Sequence, residues 1–184
     1  MLRLCSTSKV RQEILRNFRI PFVVNDNGFD EESLKIESPS SFAYMAALSK
    51  YTSVLERYGL EIPLLVVDSV VSCKGILQRK AKSEEEALMF LKAQSGGTLS
   101  VISCAILHCE AFYYTDLSAT HYELNYFRQS DMESYLQSEL WKGKAGAVMV
   151  EGFHKDFIKK QVGSTHNAMG LHIEALLPFL KDIK

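Results

Sequence analysis

Residues 63–71, Pro-Leu-Leu-Val-Val-Asp-Ser-Val-Val, constrain this chain more than any other stretch. Six branched apolar residues surround one carboxylate and one hydroxyl. A strand with consecutive apolar residues has no solvent side, so it must be covered on both faces. Residues 64–71 therefore read as a central strand in a layered fold. Asp68 then sits where a charge is costly to bury unless it is paired or ligates a metal. It is either a salt-bridged core residue or, at a strand end facing a cleft, a metal ligand or general base. Lys80, beyond the turn around Lys74-Gly75, is a partner for it or a second cation for a phosphate.

The surrounding pattern supplies the layers. Residues 2–5 and 21–24 read as short strands. Between them Val10, Ile14 and Phe18 share one helical face. Residues 40–58 form an alanine-rich helix stopped by Gly59. Ser83 and Glu86 make a capping box for a helix reaching Gln94, closed by Gly96-Gly97. Residues 98–107, 111–115 and 120–127 follow as strands, antiparallel neighbours given their short turns. Ser130 and Glu133 suggest a second capping box. Residues 147–151 read as a strand and 172–183 as an amphipathic terminal helix. Helices alternate with strands early and strands cluster later, which predicts an α/β (α+β) fold with a mixed sheet. With 184 residues and no linker or repeat, one domain over 1–184 is expected.

Charge and apolar content exclude several classes. Lys and Arg number 21 against 22 Asp and Glu, a net charge of −1. That argues against binding a nucleic-acid polymer, which needs a basic surface to displace counterions. It does not exclude a small anion held by local cations. The longest apolar runs, 63–71 and 101–107, fall short of the roughly 20 residues that span a bilayer. No membrane segment is expected, and cytoplasmic residence is the default. Cys5, Cys73, Cys104 and Cys109 have no CxxC spacing and read as buried reduced thiols, with a metal cluster or disulfide set as the lesser alternative.

Two further features bear on chemistry. Ser6-Thr7-Ser8 joins a strand to a helix that carries Lys9 and Arg11 in its first turn. Free backbone N–H groups, hydroxyls and cations converge there, as anion sites at helix N-termini require. Lysine at that end opposes the helix dipole, which favours a phosphate nearby. The plainer reading makes Ser8 an N-cap and Arg11 a solvated side chain. The acidic turn Asp30-Glu31-Glu32 and the helix-borne Lys50, read alone, are solvated charge. Trp141 reads as packing, and Phe112-Tyr113-Tyr114 as sheet face or subunit contact. His166 and Asn167 lie in a loop that is either a cleft wall or a capped surface turn.

Taken in order, these residues resemble the Maf (septum formation inhibitor) branch of the Maf/HAM1-type nucleoside triphosphate pyrophosphatases. Ser6-Thr7-Ser8-Lys9-Val10-Arg11 with Ile14-Leu15 is similar to its S-x-S-P-R-R…L-L signature, and Asp30-Glu31 to its D-E turn. Pro39 with Ala47-Leu48-Ser49-Lys50 is similar to P…A-x-x-K, and Asp68-Ser69-Val70-Val71 to D-T-V-V. Gly75, Lys80 and Glu85-Glu86-Ala87 resemble G-x-x-L-x-K-P…E-A. Ser95-Gly96, Lys144-Ala145-Gly146 and Gly163…Asn167-Ala168-Met169-Gly170-Leu171 complete the set.

The resemblance implies a mixed twisted sheet flanked by helices, in two lobes around a central cleft. It implies hydrolysis of a nucleoside triphosphate between the α and β phosphates, in nucleotide housecleaning. Ser6, Ser8, Arg11, Lys50 and Lys80 would hold phosphates. Glu31 and Asp68 would hold Mg²⁺ or Mn²⁺ and handle the attacking water, with Asp68 as proton acceptor. Ser69 and Glu151 would face the base. Lys9, Val10, Ser69, Ala81, Leu99 and Glu151 depart from the pattern, Glu151 replacing the glutamine of the dTTP/UTP branch and being more like the 7-methyl-GTP branch. The family also implies a homodimer. A different class, a nucleotide-binding inhibitor of septum formation with little catalysis, would be separated from the enzyme by turnover on a nucleotide panel.

Overall fold

The computed structural model describes residues 1–26, 28–29 and 33–181. Its strands are β1 (Leu2–Leu4), β2 (Phe22–Val24), β3 (Leu64–Cys73), β4 (Ile76–Gln78), β5 (Thr98–Cys109), β6 (Phe112–Leu124) and β7 (Ile158–Val162). Its helices are α1 (Lys9–Asn17), α2 (Pro39–Tyr58), α3 (Glu84–Gln94), α4 (Gln129–Gln137), α5 (Thr165–Ala168) and α6 (Ile173–Leu180). They build one seven-stranded mixed sheet in the order β2-β1-β3-β5-β6-β7, with β4 beside β3. β1 is parallel to β2 and β3, and the pairs β3–β5, β5–β6 and β6–β7 are antiparallel.

The apolar run in β3 is covered as its sequence demands. Leu64, Val66 and Val70 pack with Phe42, Ala43, Ala46, Ala47 and Val54 of α2. Leu65 and Val67 pack on the opposite face with Ile14 and Leu15 of α1 and with Ile173 and Leu176 of α6. Alternation therefore sends Asp68 towards α2 and Ser69 towards α1. The far ends of β5 and β6 extend past this layer. There Leu99, Val101, Tyr122 and Leu124 join Ala87 and Leu91 of α3 and Tyr135 and Leu136 of α4 in a second lobe. β3, β5 and β6 thus run through both lobes.

Several sequence expectations are corrected. Residues 147–151 form consecutive turns and no strand, while β7 and β4 were not foreseen. The two strands expected over 111–115 and 120–127 are one continuous strand, Phe112–Leu124, whose ladder runs on through Asp116 and Ser118, both tied to His172. Helix α4 starts at Gln129 with Arg128 as its N-cap, so Ser130 lies inside the helix and does not cap it. The Ser83 cap holds, its Oγ accepting from Glu86 N at 3.2 Å, but Glu86 reaches back to Lys82 N.

Among the described residues, no helix is long and apolar enough to cross a membrane. Cys5, Cys73 and Cys104 are buried free thiols. Trp141 is buried and donates to Leu136 O at 3.0 Å, so it is packing.

Candidate active site

The cleft arises from a gap in the sheet. On one edge of β3, β1 pairs only as far as Leu65 and β4 begins only at Val71. The chain leaves β1 at Cys5, turns through Ser6-Thr7-Ser8 and enters α1. Residues 66–70 of β3 therefore have no strand on that side, and groups from both sheet faces reach one opening. This is the crevice beyond the carboxyl end of a parallel strand whose neighbours are reached over opposite faces, the usual place for a ligand in such sheets.

The opening is a cleft of about 390 Å³ walled by the α1 N-terminus, β3, the turn at Gly170 and the loop 142–151. Ser6, Ser8, Arg11, Lys50, Asp68, Ser69, Lys80 and Glu151, all singled out from the sequence, line it. Glu31 lies outside the described residues. Among the described residues, six cationic side chains (Lys9, Arg11, Lys50, Lys80, Lys142, Lys144) line the cleft with two carboxylates, Asp68 and Glu151. A chain of net charge −1 has thus gathered a local excess of positive charge in one concavity.

Asp68 and Lys50 form its floor. Lys50 Nζ stands 2.5 Å from Asp68 Oδ1, and both side chains are buried. The solvated fate read for Lys50 alone is corrected here. Lys50 belongs to the buried stripe Ala43, Ala46, Ala47, Lys50, Tyr51, Val54, whose small residues let α2 lie close on β3. In a buried ion pair of this kind the attraction between the partners offsets part of the desolvation of each. Behind Asp68, burial and then the Asp68 and Asp116 carboxylates push the Cys104 thiol up to about 12, so it is not a nucleophile.

Arg11 organises the α1 side. Ser8 caps the helix, its Oγ accepting from Arg11 N at 3.4 Å. The Arg11 guanidinium donates to Gly170 O at 2.8 Å, Ser6 Oγ at 2.9 Å, Val67 O at 3.0 Å and Ser69 Oγ at 3.0 Å. It thereby closes the open edge of β3 at Val67 and fixes the hydroxyls of Ser6 and Ser69. Ser69 Oγ is also 2.8 Å from Ser103 Oγ, which donates to Asn167 O at 3.0 Å. The solvated Arg11 of the plainer reading is excluded. Asn167 is buried against β5 and β6, and His166 pairs on the surface with Glu174, so the cleft wall begins only at Ala168.

The opposite wall is the irregular loop 142–151. Lys144 Nζ lies 3.5 Å from Glu151 Oε1. The Glu151 charge is felt deeper in: burial first, then Glu151, raises the Tyr122 hydroxyl to about 12, and the same two causes raise Tyr135. Sequence reading missed Lys142 and the buried residues that hold this loop. Lysine on both sides of Gly143 in Lys142-Gly143-Lys144 was the available signal.

A family model described as Maf-like protein matches residues 1–183. The chain belongs to the Maf family. Among Maf relatives, a protein of Nitratiruptor sp. named nucleoside triphosphate pyrophosphatase is 42% identical over the full length of both chains. One from Helicobacter pylori strain J99 with the same name is 40% identical, covering 98% of this chain and 95% of its own. Another so named, from Campylobacter jejuni, is 33% identical over 98% of this chain and 100% of its own. A solved HAM1 protein from Coxiella burnetii overlaps 67% of this Maf chain and 72% of its own at 14% identity, with a TM-score of 0.40.

One buried histidine of the Maf loop makes a pH prediction. His154 Nδ1 accepts from Met149 N at 3.1 Å, so Nε2 carries the proton and donates to Gln94 Oε1 at 2.8 Å. Burial pushes His154 from 6.5 down to about 3. The folded state keeps this imidazole neutral while the unfolded chain protonates it below about 6.5, so acid favours unfolding. Stability should fall by about 1.4 kcal/mol per pH unit through this window, or about 2 kcal/mol at pH 5. Urea midpoints at pH 7 and pH 5 check it: His154→Gln should lose most of that pH dependence, and an unchanged slope would refute the assignment.

Proposed function

We propose that the chain is a nucleoside triphosphate pyrophosphatase that cleaves between the α and β phosphates, releasing a nucleoside monophosphate and pyrophosphate. One observation carries this reading: among the described residues, six cations and two carboxylates share one cleft in a chain of net charge −1. A triphosphate needs the cations, and an attacking water needs a carboxylate beside them. The full-length relatives so named support it.

In this reading Lys50, Lys80 and the amides and hydroxyls at the start of α1 position the phosphates. Lys9, Lys142 and Lys144 add charge at the rim. Arg11 holds Ser6 and Ser69 in place. Asp68 accepts a proton from the water that attacks the α phosphorus, and the proton leaves with bulk solvent. Lys50, 2.5 Å from Asp68, fixes the orientation of that carboxylate. The donor set also fits a hard divalent cation. Among the described residues the cleft offers carboxylate and hydroxyl oxygens and no imidazole or thiol, and Mg²⁺ or Mn²⁺ binds through one or two carboxylates plus substrate phosphates. Asp68, with Glu31, would hold it, and it would supply charge neutralisation for the leaving pyrophosphate. Cytoplasmic residence, a homodimer and a housecleaning role belong to the same proposal.

The base end is assigned to Ser69 and Glu151. A carboxylate can accept two N–H bonds from a guanine Watson–Crick edge and repels the O4 of thymine or uracil. A purine such as GTP or 7-methyl-GTP is therefore preferred over dTTP. The test is pyrophosphate release across dTTP, UTP, CTP, GTP and 7-methyl-GTP with Mg²⁺ or Mn²⁺. Release from none of them would refute the enzyme and leave a binding protein. Glu151→Gln should move the ratio of kcat/KM for dTTP over GTP upwards by about tenfold or more, the value of one well-placed polar contact. An unaltered ratio would remove Glu151 from base reading.

A further inference from the structure

The loop 142–151 carries three charged side chains of the cleft, Lys142, Lys144 and Glu151, yet it has almost no ladder to hold it. Its one β-bridge joins Ala145 to Lys80. Beside that bridge, Gly146 N donates to Arg79 O at 2.8 Å. Gly146 has φ +57, and a Cβ there would stand 2.8 Å from the Val71 side chain, so the loop is pressed onto β3 at a point only glycine fits.

The rest of its backbone is held by side chains buried beneath it. Gln94, fully buried at the end of α3, donates from Nε2 to Gly146 O at 2.8 Å and to Gln78 Oε1 at 2.8 Å. Its Oε1 accepts from His154 Nε2, and His154 Nδ1 accepts from Met149 N. His154 N closes the turn on Met149 O at 3.0 Å. Both hydrogens and the carbonyl of Gln94 and both ring nitrogens of His154 are used. The relay Gln78–Gln94–His154 therefore links β4, α3 and the turn after the loop, and touches the loop at Gly146 and Met149. Those contacts sit between Lys144 and Glu151 in the chain, and next to the bridge that places Lys80.

We propose that Gln94 and His154 are positioning residues for the bound nucleotide: the uncharged relay fixes the loop backbone so that Lys144 and Glu151, and through the bridge Lys80, face the cleft. Neither residue touches the substrate. The contacts they position act on bound substrate and transition state alike, so their loss raises KM more than it lowers kcat. The inference rests on the nucleotide reading of the cleft.

The test uses the full chain with Gln94→Leu, which keeps volume and removes all three hydrogen bonds. KM for the best nucleotide should rise about tenfold with kcat within about threefold, the scale expected when a supporting group shifts a site by a fraction of an ångström. Amide exchange at Gly146 and Met149 should quicken. His154→Gln, which keeps a donor for Gln94, should retain a KM closer to wild type than His154→Leu does. A variant that melts earlier but keeps wild-type KM would overturn the proposal, because a merely structural role predicts that result. If Gln94→Leu does not fold, His154→Asn reads the same KM, and a wild-type value again overturns it. Calorimetric titration with inorganic tripolyphosphate separates this inference from the enzymatic reading. Weaker binding by Gln94→Leu supports positioning even if wild type hydrolyses nothing, and equal binding with equal KM refutes it even if wild type is active.

Discussion

Asp68→Asn is expected to lower pyrophosphate release by about 10³-fold, within the range for loss of a general base. The amide is the same size as the carboxylate but cannot take a proton from water at neutral pH. The variant also leaves Lys50 without the negative charge that faces it at 2.5 Å. Removing one partner of a buried pair costs about 3–5 kcal/mol, so melting should fall together with activity. Two effects would then be confounded, and a second substitution separates them. Asp68→Asn with Lys50→Met replaces the ion pair by uncharged groups and should recover much of the lost stability, since buried pairs are often neutral against apolar replacements. Activity should not recover. A double variant as stable as wild type and equally inactive shows that turnover is lost through the cleft groups themselves and not through lost stability. Recovery of activity along with stability would make Asp68 a folding residue only.

How much of this was legible in the sequence differs from element to element. The β3 run announced its own burial on two faces, and Asp68 within it announced a partner. The partner itself was not legible: Lys50 read alone is solvated charge and Lys80 was the candidate, although Lys50 occupies the i+3, i+4 stripe with Ala43, Ala46 and Ala47, where a solvated charge has no room. The loop 142–151 was not legible. Ala147-Val148-Met149-Val150 has strand composition, but Gly146 and Ala147 both take positive φ, and the hydrogen bonds come from Gln94 and His154, 52 and 5 residues away from their loop partners. No window of local pattern contains the pairing of Gln94 with Gly146. β7, Ile-Lys-Lys-Gln-Val, hid for the opposite reason: lysines protect an edge strand from further pairing and make it read as surface. In the site, Glu151 of the loop was found, while Lys142 and the buried Gln94 and His154 that hold the loop were not.

Arg11→Lys is the second large effect, and it is expected to be nearly as damaging as Arg11→Ala. Charge is kept in one and lost in the other, so a role as a simple phosphate counter-charge predicts that lysine rescues. The geometry predicts that it does not. The guanidinium spans four acceptors on three segments: Gly170 O, Ser6 Oγ, Val67 O and Ser69 Oγ. An ammonium has three donors around one point and cannot reach both the edge of β3 and the turn at Gly170. Hydrogen bonds to a charged group contribute about 1.5–3 kcal/mol each, so loss of two or three in a partly buried site should cost about 3–5 kcal/mol. Turnover should fall about 100-fold or more in both variants, because Ser6 and Ser69 lose the group that orients them and the α1 N-terminus is no longer tied to β3. Lys80→Ala is the contrast. Lys80 is exposed at the cleft rim, so its loss should lower activity while shifting the melting temperature little. Thermal melts and pyrophosphate release on the three variants decide the matter. Lysine at position 11 restoring both stability and turnover would return Arg11 to the role of a counter-charge, and a large melting shift in Lys80→Ala would place Lys80 in the scaffold instead.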